Sequence, residues 1–422
     1  MRAELSLVPI SRWTMRPVWA LVASREEFGG DLPLLSMSAE YGVRARPEGE
    51  GRAASEDLSG YRVVREGDLV INRLSARDGA YGVSRQIGLI SPAYWVFRAG
   101  PLVDPRWLDY VLRSHSYKAE LARISKYMPP AQFDLPWDQF RRMFVPVPPL
   151  NEQRKIANYL DAVTARIDAL VEKKQRMVES LSEQRMSVMC AGVSGLLTSE
   201  VTETSRLRWL DKHGAGWRVA KLSLVAKLGS GHTPSRSHPE WWQDCKIPWV
   251  TTGEVAEMRT DKFEYVTTTR EKISELGLAN SSATLHPAGT VVLCRTASAG
   301  YSAIMATEMA TSQDFATWTC GPLLNPRFLL LCLRAMRADL LGRLAMGSTH
   351  QTIYMPDLEA LRIPLPALSE QIAIVDEVWR RLAIINAVEE RLASQVNLLL
   401  ERRQALITAA ITGELKIAGV GA

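Results

Sequence analysis

Shifted by 218 positions, the chain lies on itself: Leu150 falls on Leu368, and the register holds without a gap to Gly195 on Gly413. Glu152-Gln153 meets Glu370-Gln371, Ile156 meets Ile374, Ile167 meets Ile385, and Leu181 meets Leu399. PVPPLNEQ before the first copy matches PLPALSEQ before the second, and AGVSG (Ala191–Gly195) matches AAITG (Ala409–Gly413) at the ends. A repeat of this size fixes the architecture before any single element is assigned. GDLVINR (Gly67–Arg73) lies on GTVVLCR (Gly289–Arg295), and DPRWLDYVLRS (Asp104–Ser114) on NPRFLLLCLRA (Asn325–Ala335), with one single-residue gap between these blocks. Upstream of Gly67 no match is evident. The chain therefore reads as globule, helix, globule, helix.

Each repeated segment has helical punctuation. Prolines precede it, Asn151 and Ser369 are the expected N-caps, Glu152 and Glu370 favour the first turn, and Gly195 and Gly413 end the runs. Four-three spacing gives a seam through Ile156, Leu160, Val163, Ile167, Leu170, Lys174 and Met177, and a second through Ile374, Val378, Arg381, Ile385 and Val388. About 40 residues make a rod of roughly 60 Å. A rod with so narrow an apolar seam needs a partner helix. The two copies are expected to pair antiparallel, as a coiled coil with a globule at each end and an approximate twofold between them. Packing of each helix on its own globule is the alternative.

The flanking segments alternate short β-branched runs (DLVINR, KIPWVTTGEV, TVVLCR) with Gly, Pro and Ser/Thr turns, and add helices that begin at Pro105 and Pro326. The expected fold class is α+β. Its four parts are a mixed α/β domain at 1–149, a long helix at 150–196, a second mixed domain at 197–367 and a second long helix at 368–415. Formal net charge is +5. Residues 1–149 hold 20 Lys+Arg against 17 Asp+Glu and residues 202–367 hold 18 against 15, while the helical segments are close to neutral. Two weakly basic globules joined by a neutral rod suit a nucleic-acid partner. In the first globule Lys118 and Lys126 are the only lysines; arginine's planar fork suits phosphate and guanine edges, and a GC-rich genome produces the same bias.

Catalytic signatures are missing from the sequence. There is no GxxxxGK[ST] and no HExxH; MPPAQF (Met128–Phe133) lacks the asparagine of an amino-methyltransferase signature, and Asp357 and Glu359 lack a nuclease lysine. Five cysteines without a CxxC pair are expected to be reduced and mostly buried. The N-terminal MRAELSLVPISRW has no signal-peptide pattern and no stretch approaches a membrane span, so a cytoplasmic protein is expected.

The doubled Pro-x-Pro-x-Leu-x-Glu-Gln before a long helix resembles the specificity subunit of type I restriction–modification systems. GSGHTPSR (Gly229–Arg236), KIPWVTTGEV (Lys246–Val255), GTVVLCR, TSQDF (Thr311–Phe315) and the run from Gly347 to Gln371 are similar to that family as well. In the first globule only SAEYGV (Ser38–Val43) echoes it before Gly67. The resemblance implies two target recognition domains, each reading half of a bipartite double-stranded DNA site. It implies that the paired helices set the half-site spacing and dock two copies of a methyltransferase (modification) subunit. Catalysis would then belong to the partners: S-adenosylmethionine to the methyltransferase, ATP and Mg²⁺ to a restriction/translocase subunit, and no cofactor to this chain. A catalytic methyltransferase or nuclease with an unrecognised site, and a coiled-coil scaffold unrelated to DNA, are the competing readings.

DNA contact requires cations for phosphate and forked polar groups for base edges. Arg73 and Arg295 each follow a strand of the repeated block, and the loops after them offer Ser75, Arg77 and Tyr81 in one, Thr296, Ser298 and Tyr301 in the other. Thr233, Ser235 and Arg236 come next, then Lys126, Tyr127 and Gln132 with their rough counterparts Ser348, His350 and Gln351. Trp241 and Trp242 are expected in the core, and Arg106 and Arg327 are read as structural. Candidate docking and coiled-coil residues are Glu152, Gln153, Ile156, Leu160, Ile167 and Leu181, with Glu370, Gln371, Ile374, Val378, Ile385 and Leu399 in the second copy.

Overall fold

A computed structural model describes residues 13–39, 41–47, 49, 57–129, 132–198, 201–345, 351–418 and 420. The chain divides into two compact units, Met1–Lys174 with Ser394–Ala422, and Gln175–Ala393.

Unit 1 contains, in chain order, β1 (Thr14–Pro17), β2 (Val22–Ser24), β3 (Leu69–Asn72), β4 (Tyr81–Val83), β5 (Tyr94–Ala99), α1 (Pro105–Arg113), β6 (Lys126–Met128), β7 (Gln132–Asp134) and β8 (Phe144–Val147), among other short elements. An antiparallel sheet runs β2-β5-β3-β4, and β1 pairs with β8 from Thr14↔Val147 to Pro17↔Phe144. The long helix α2 spans Leu150–Val193 and begins in this unit.

Unit 2 repeats the plan with β9 (Arg218–Lys221), β10 (Ala226–Ser230), β11 (Val291–Cys294), β12 (Ser302–Met305), β13 (Phe315–Cys320), α3 (Pro326–Ala335) and β14 (Arg362–Leu365), followed by the long helix α4 (Leu368–Thr412). Its main sheet runs β10-β13-β11-β12, with Tyr265–Val266 added in parallel to β12, and β9 pairs with β14. The central strand β11 is buried at all four positions, VVLC, as a strand covered on both faces should be. The α+β class with two long helices is therefore present. The repeat also reaches further than the sequence indicates. Trp13 and Trp217 stand just before β1 and β9, and the Leu21 carbonyl accepts from Gly100 N–H at 2.7 Å as the Val225 carbonyl does from Gly321 N–H at 2.8 Å.

The doubled Glu-Gln is explained by its glutamines. The Gln153 side chain is wholly buried; its Oε1 accepts from the Asp104 backbone N–H at 2.7 Å, and its Nε2 donates to the carbonyls of Leu102 (2.9 Å) and Pro148 (2.8 Å). Gln371 is equally buried and takes Asn325 N–H at 2.8 Å while donating to Leu323 and Pro366 carbonyls at 3.0 Å each. One amide thus fastens two backbone groups at the start of α1 or α3 to a third in the proline loop before the long helix. Asp104 and Asn325 cap those helices with their side chains, ahead of a proline at the first helical position. The long helices start at Leu150 and Leu368, one residue before the expected caps, so Asn151 and Ser369 lie in the first turn. Gly195 and Gly413 adopt φ of 80° just beyond the ends, which suits glycine.

Within each unit the long helices pair antiparallel. In unit 1 Arg403 meets Asp168 at 2.9 Å and Gln395 meets Lys174 at 2.6 Å; in unit 2 Arg185 meets Asn386 at 2.7 Å and Gly192 faces Val378. The buried seam departs from the four-three spacing. Leu170, Met177 and Val388 are exposed, while Val171, Arg185, Met189, Leu382 and Glu389 are buried. A strict 3.5-residue seam drifts by about 20° per heptad on a straight helix, and here the seam follows the helix. Arg381, a polar position on the expected seam, is thereby exposed, and the seam's charges are Arg185 and Glu389, facing each other at 2.8 Å. Arg106 and Arg327 are structural as read: Arg106 donates to Asn158 and Asp161 of α2, and Arg327 to Glu264 and to Asp376 of α4.

All five cysteines are free, but only Cys294 and Cys332 are buried; Cys190, Cys245 and Cys320 are half-buried, fewer covered thiols than expected. Burial pushes the Cys294 thiol up to about 11 and the Cys320 thiol up to about 12, so both stay protonated near neutrality. No helix among the described residues is long and apolar enough to cross a membrane.

Candidate nucleic-acid interface

In unit 1 the loop after β3 meets the β6–β7 ribbon. Arg73 directly follows β3; its guanidinium lies 2.9 Å from the Asp134 carboxylate, and its carbonyl accepts from Leu135 N–H at 3.1 Å. The Arg77 guanidinium sits 4.0 Å over the Phe133 ring, and Tyr127 meets that ring edge-on at 5.4 Å. Lys126, Tyr127 and Gln132 are exposed on the ribbon. Ser75, Gln132 and Phe133 border an open groove of about 690 Å³, whose other walls include Leu34–Met37, Tyr61 and Tyr94. Much of that wall comes from residues upstream of Gly67, where the sequence carried no repeat. Tyr81 is not part of this face. It is 1% exposed, its hydroxyl donates to the Leu112 carbonyl at 2.9 Å, and burial raises its phenol well above the usual range. Expected in the loop after Arg73, it is instead the first residue of β4 and is buried in the core.

In unit 2 three segments converge on the end of β11. The Arg295 carbonyl accepts from Ile353 N–H at 2.8 Å, matching the Arg73 arrangement, and its guanidinium donates to the Gln313 carbonyl at 3.0 Å. Thr296 donates to Asp314, and Thr233 donates to the Gln313 side chain at 2.6 Å. Gly231 lies so close to Thr311 that a Cβ would fall 1.9 Å from its carbonyl oxygen, so only glycine lets the two loops touch. Ala297 adopts φ of 57°, a left-handed turn in the same loop. Arg236 stacks 3.7 Å over Trp242 and pairs with Glu271 at 3.0 Å, beside an exposed Ser235. Trp241 and Trp242 are half-buried, not core: His238 stacks on Trp241 at 4.3 Å. Gln351 is exposed next to the Thr296↔Thr352 bridge.

Ser298 and Tyr301 turn away from this convergence. Ser298 accepts from Arg259 at 2.7 Å, and the Tyr301 ring lies 4.6 Å under Arg337. Ser348 and His350 lie outside the described residues. Gln313 and Asp314 organise the unit 2 face without having been singled out as contacts; the polar S-Q-D between two apolar strands was their signal. Among the described residues no three His, Cys, Asp or Glu side chains converge as a metal-binding set.

The docking candidates fall on the helices' inner surface. Ile156, Leu160 and Ile167 in unit 1, and Ile374, Val378 and Ile385 in unit 2, are buried on the seam, with Leu181 and Leu399 half-buried. Gln153 and Gln371 are consumed by the backbone clamps and offer nothing to a partner. Glu370 accepts from Trp217 Nε1 at 3.0 Å, and Glu152 is half-buried at the matching position. Apolar side chains that face outward on α4 include Ile372, Ile384 (58% exposed) and Val388 in unit 2, and Leu398 and Leu400 in unit 1.

Residues 215–397 match the family described as "Type I restriction modification DNA specificity domain". Among curated proteins, the Type I restriction enzyme MjaIX specificity subunit of Methanocaldococcus jannaschii is 27% identical over 157 residues, 37% of this chain and 35% of that one. The EcoR124I/EcoR124II specificity subunit of Escherichia coli is 22% identical over 187 residues, 43% of this chain and 44% of that one. The chain thus spans less than half the length of the curated relatives it matches. The fold is similar to a chain solved under the description "Structural basis underlying complex assembly and conformational transition of the type I R-M system", with a TM-score of 0.73 at 17% identity over 97% of this chain and 99% of that one. It is also similar to the HsdS subunit from Thermoanaerobacter tengcongensis, with a TM-score of 0.53 at 17% identity over 97% and 98% of the two chains.

Proposed function

We propose, from the type I restriction modification DNA specificity domain that this chain carries at residues 215–397, that it is the sequence-reading subunit of a type I restriction–modification complex. Each unit reads one half of a bipartite double-stranded DNA target. Arg73, Arg77, Lys126 and Gln132 serve one half-site, and Thr233, Arg236, Arg295 and Gln351 the other. The paired helices set the distance between the half-sites and dock two methyltransferase subunits, with Ile384, Val388 and Leu398 as outward apolar contacts. Methyl transfer from S-adenosylmethionine is the work of those partners, and ATP- and Mg²⁺-dependent translocation that of a restriction subunit, all in the cytoplasm. The chain itself performs no chemistry.

The observation that carries the reading is a recurrence. In both units a central strand is followed directly by an arginine whose carbonyl is held by the segment leading to the long helix, and polar side chains from distant loops gather around it. Two equivalent cationic edges on two copies of one scaffold suit a target in two parts.

The test is base-resolution adenine methylation of DNA from cells expressing this chain with a cognate methyltransferase subunit, against cells lacking the chain. A split motif that requires the chain is the expected result. Its absence, with both proteins soluble, would refute the reading. Given the motif, Arg295→Ala should weaken binding of the cognate duplex by about tenfold, the worth of one good base or phosphate contact, with the melting temperature unchanged. Fluorescence anisotropy across a salt series measures it, since phosphate contacts give a steep salt slope. Unaltered affinity would remove Arg295 from the interface.

A further inference from the structure

Arg185 and Arg403 occupy the same position in the two helix copies, and so do Asn386 and Asp168. Arg403 and Asp168 form an exposed two-membered pair, with side chains 34% and 51% accessible. Arg185 instead donates to Asn386 at 2.7 Å and to Glu389 at 2.8 Å, in a pair whose side chains are only 6% and 10% accessible. The counterpart of Glu389 in the first copy is Val171, so the additional carboxylate belongs to unit 2 alone. Glu389 also takes Lys262 at 3.1 Å, and Lys262 comes not from a helix of the pair but from the globule. Burial pushes the Glu389 carboxyl up, and the two cations more than offset it, so it stays ionised.

Lys262 is not loosely presented. Its neighbour Asp261 holds a left-handed backbone at φ 52°, costly for a residue with a Cβ. The Asp261 carboxylate is gripped by Arg337 at 2.6 and 2.7 Å and by the wholly buried Arg334 at 3.2 Å. Arg334 also donates to the carbonyls of Asp261 and Phe263. The segment therefore has one conformation, and that conformation aims Lys262 at the helix pair. A desolvated charge network of this kind fixes geometry and register more than it adds stability.

We infer that Lys262, Glu389 and Arg185 form a lock that fixes the register of the helix pair and the angle at which the unit 2 globule sits on it, and that this lock restricts the recognised DNA spacer to one length. The three are positioning residues. The inference rests on the DNA-reading function proposed above.

The test compares wild type, Lys262→Met and Lys262→Arg, each co-expressed with the methyltransferase subunit, by base-resolution methylation at sites whose spacer is one base pair longer or shorter than the cognate one. Lys262 is a third exposed, and methionine keeps its aliphatic stem, so the variants should fold. Wild type and Lys262→Arg should methylate one spacer. Lys262→Met should raise the ratio of off-length to cognate methylation by roughly three- to tenfold. An unchanged ratio in Lys262→Met overturns the lock, as does a loss of methylation at all spacers in step with lost soluble protein. A wild type without any chain-dependent split motif would instead remove the DNA-reading function itself, which separates the two failures.

Discussion

Replacing Arg334 with methionine should lower the melting temperature of unit 2 by about 10 °C, a loss of roughly 3–5 kcal/mol. Arg334 has no exposed surface, and its guanidinium donates to three carbonyls, those of Asp261, Phe263 and Ser302. Burial pulls its pKa down to about 10, with Asp261 opposing, so it is charged at neutral pH and its loss leaves Asp261 with Arg337 alone. The repeat provides an internal control. Arg113 occupies the same position in α1 and donates to the Tyr81 carbonyl at 2.7 Å as Arg334 does to that of Ser302, but it is a quarter exposed and its acid, Asp109, is on its own helix. Arg113→Met should cost about 1 kcal/mol. Calorimetry of the full chain measures both, and equal losses would mean that the buried network is not what distinguishes them.

The clamp glutamines should give the second large effect. Gln371→Leu strips partners from one N–H and two carbonyls in a dry site, at about 1–3 kcal/mol for each group left unpaired. Gln371→Glu is the sharper probe. It keeps an acceptor for Asn325 N–H, but an ionised carboxylate would face the carbonyls of Leu323 and Pro366 where an amide now donates. Burial and those dipoles raise the folded pKa of such a carboxyl above its unfolded value of about 4.3. The folded state then binds more protons, so the variant's stability falls as pH rises through the raised pKa. The urea midpoint of Gln371→Glu relative to wild type should therefore recover between pH 7.5 and pH 5. An equal deficit at both values would contradict the donor role of the Gln371 amide.

Periodicity over many residues survives in the sequence, and local chemistry between distant residues does not. The long helices and the recurrence of Gly67–Arg73 in Gly289–Arg295 were legible because apolar spacing and an arginine directly after a strand are contiguous signals. The seam's true path was not, because a heptad and a straight helix differ by one residue only after several turns; Val171 in place of Leu170 shows the slip. Gln153 and Gln371 read as helix-surface residues because nothing local reveals that Leu102 and Leu323 return to them. The β1–β8 and β9–β14 pairings escaped for the same reason: each joins four-residue strands more than a hundred positions apart. Of the candidate interface, the cations stood out in the sequence. Gln313, Asp314 and the wall formed by residues upstream of Gly67 acquire meaning only once the loops meet.

The division into units also sets an order of assembly. Unit 2 is one uninterrupted stretch, Gln175–Ala393, whereas unit 1 is completed by Ser394–Ala422, whose Ile407, Ala410 and Ile411 are buried with Trp107 and Leu160 in the unit 1 core. On a ribosome adding about 5–20 residues per second, the globule made first waits roughly 10–40 s for the helix that closes it. During that interval the part of the unit 1 core that Ile407, Ala410 and Ile411 complete lacks those side chains. The unit synthesised first is thus the one that finishes last, and a transcript cut short after residue 393 would leave unit 1, not unit 2, with an open core.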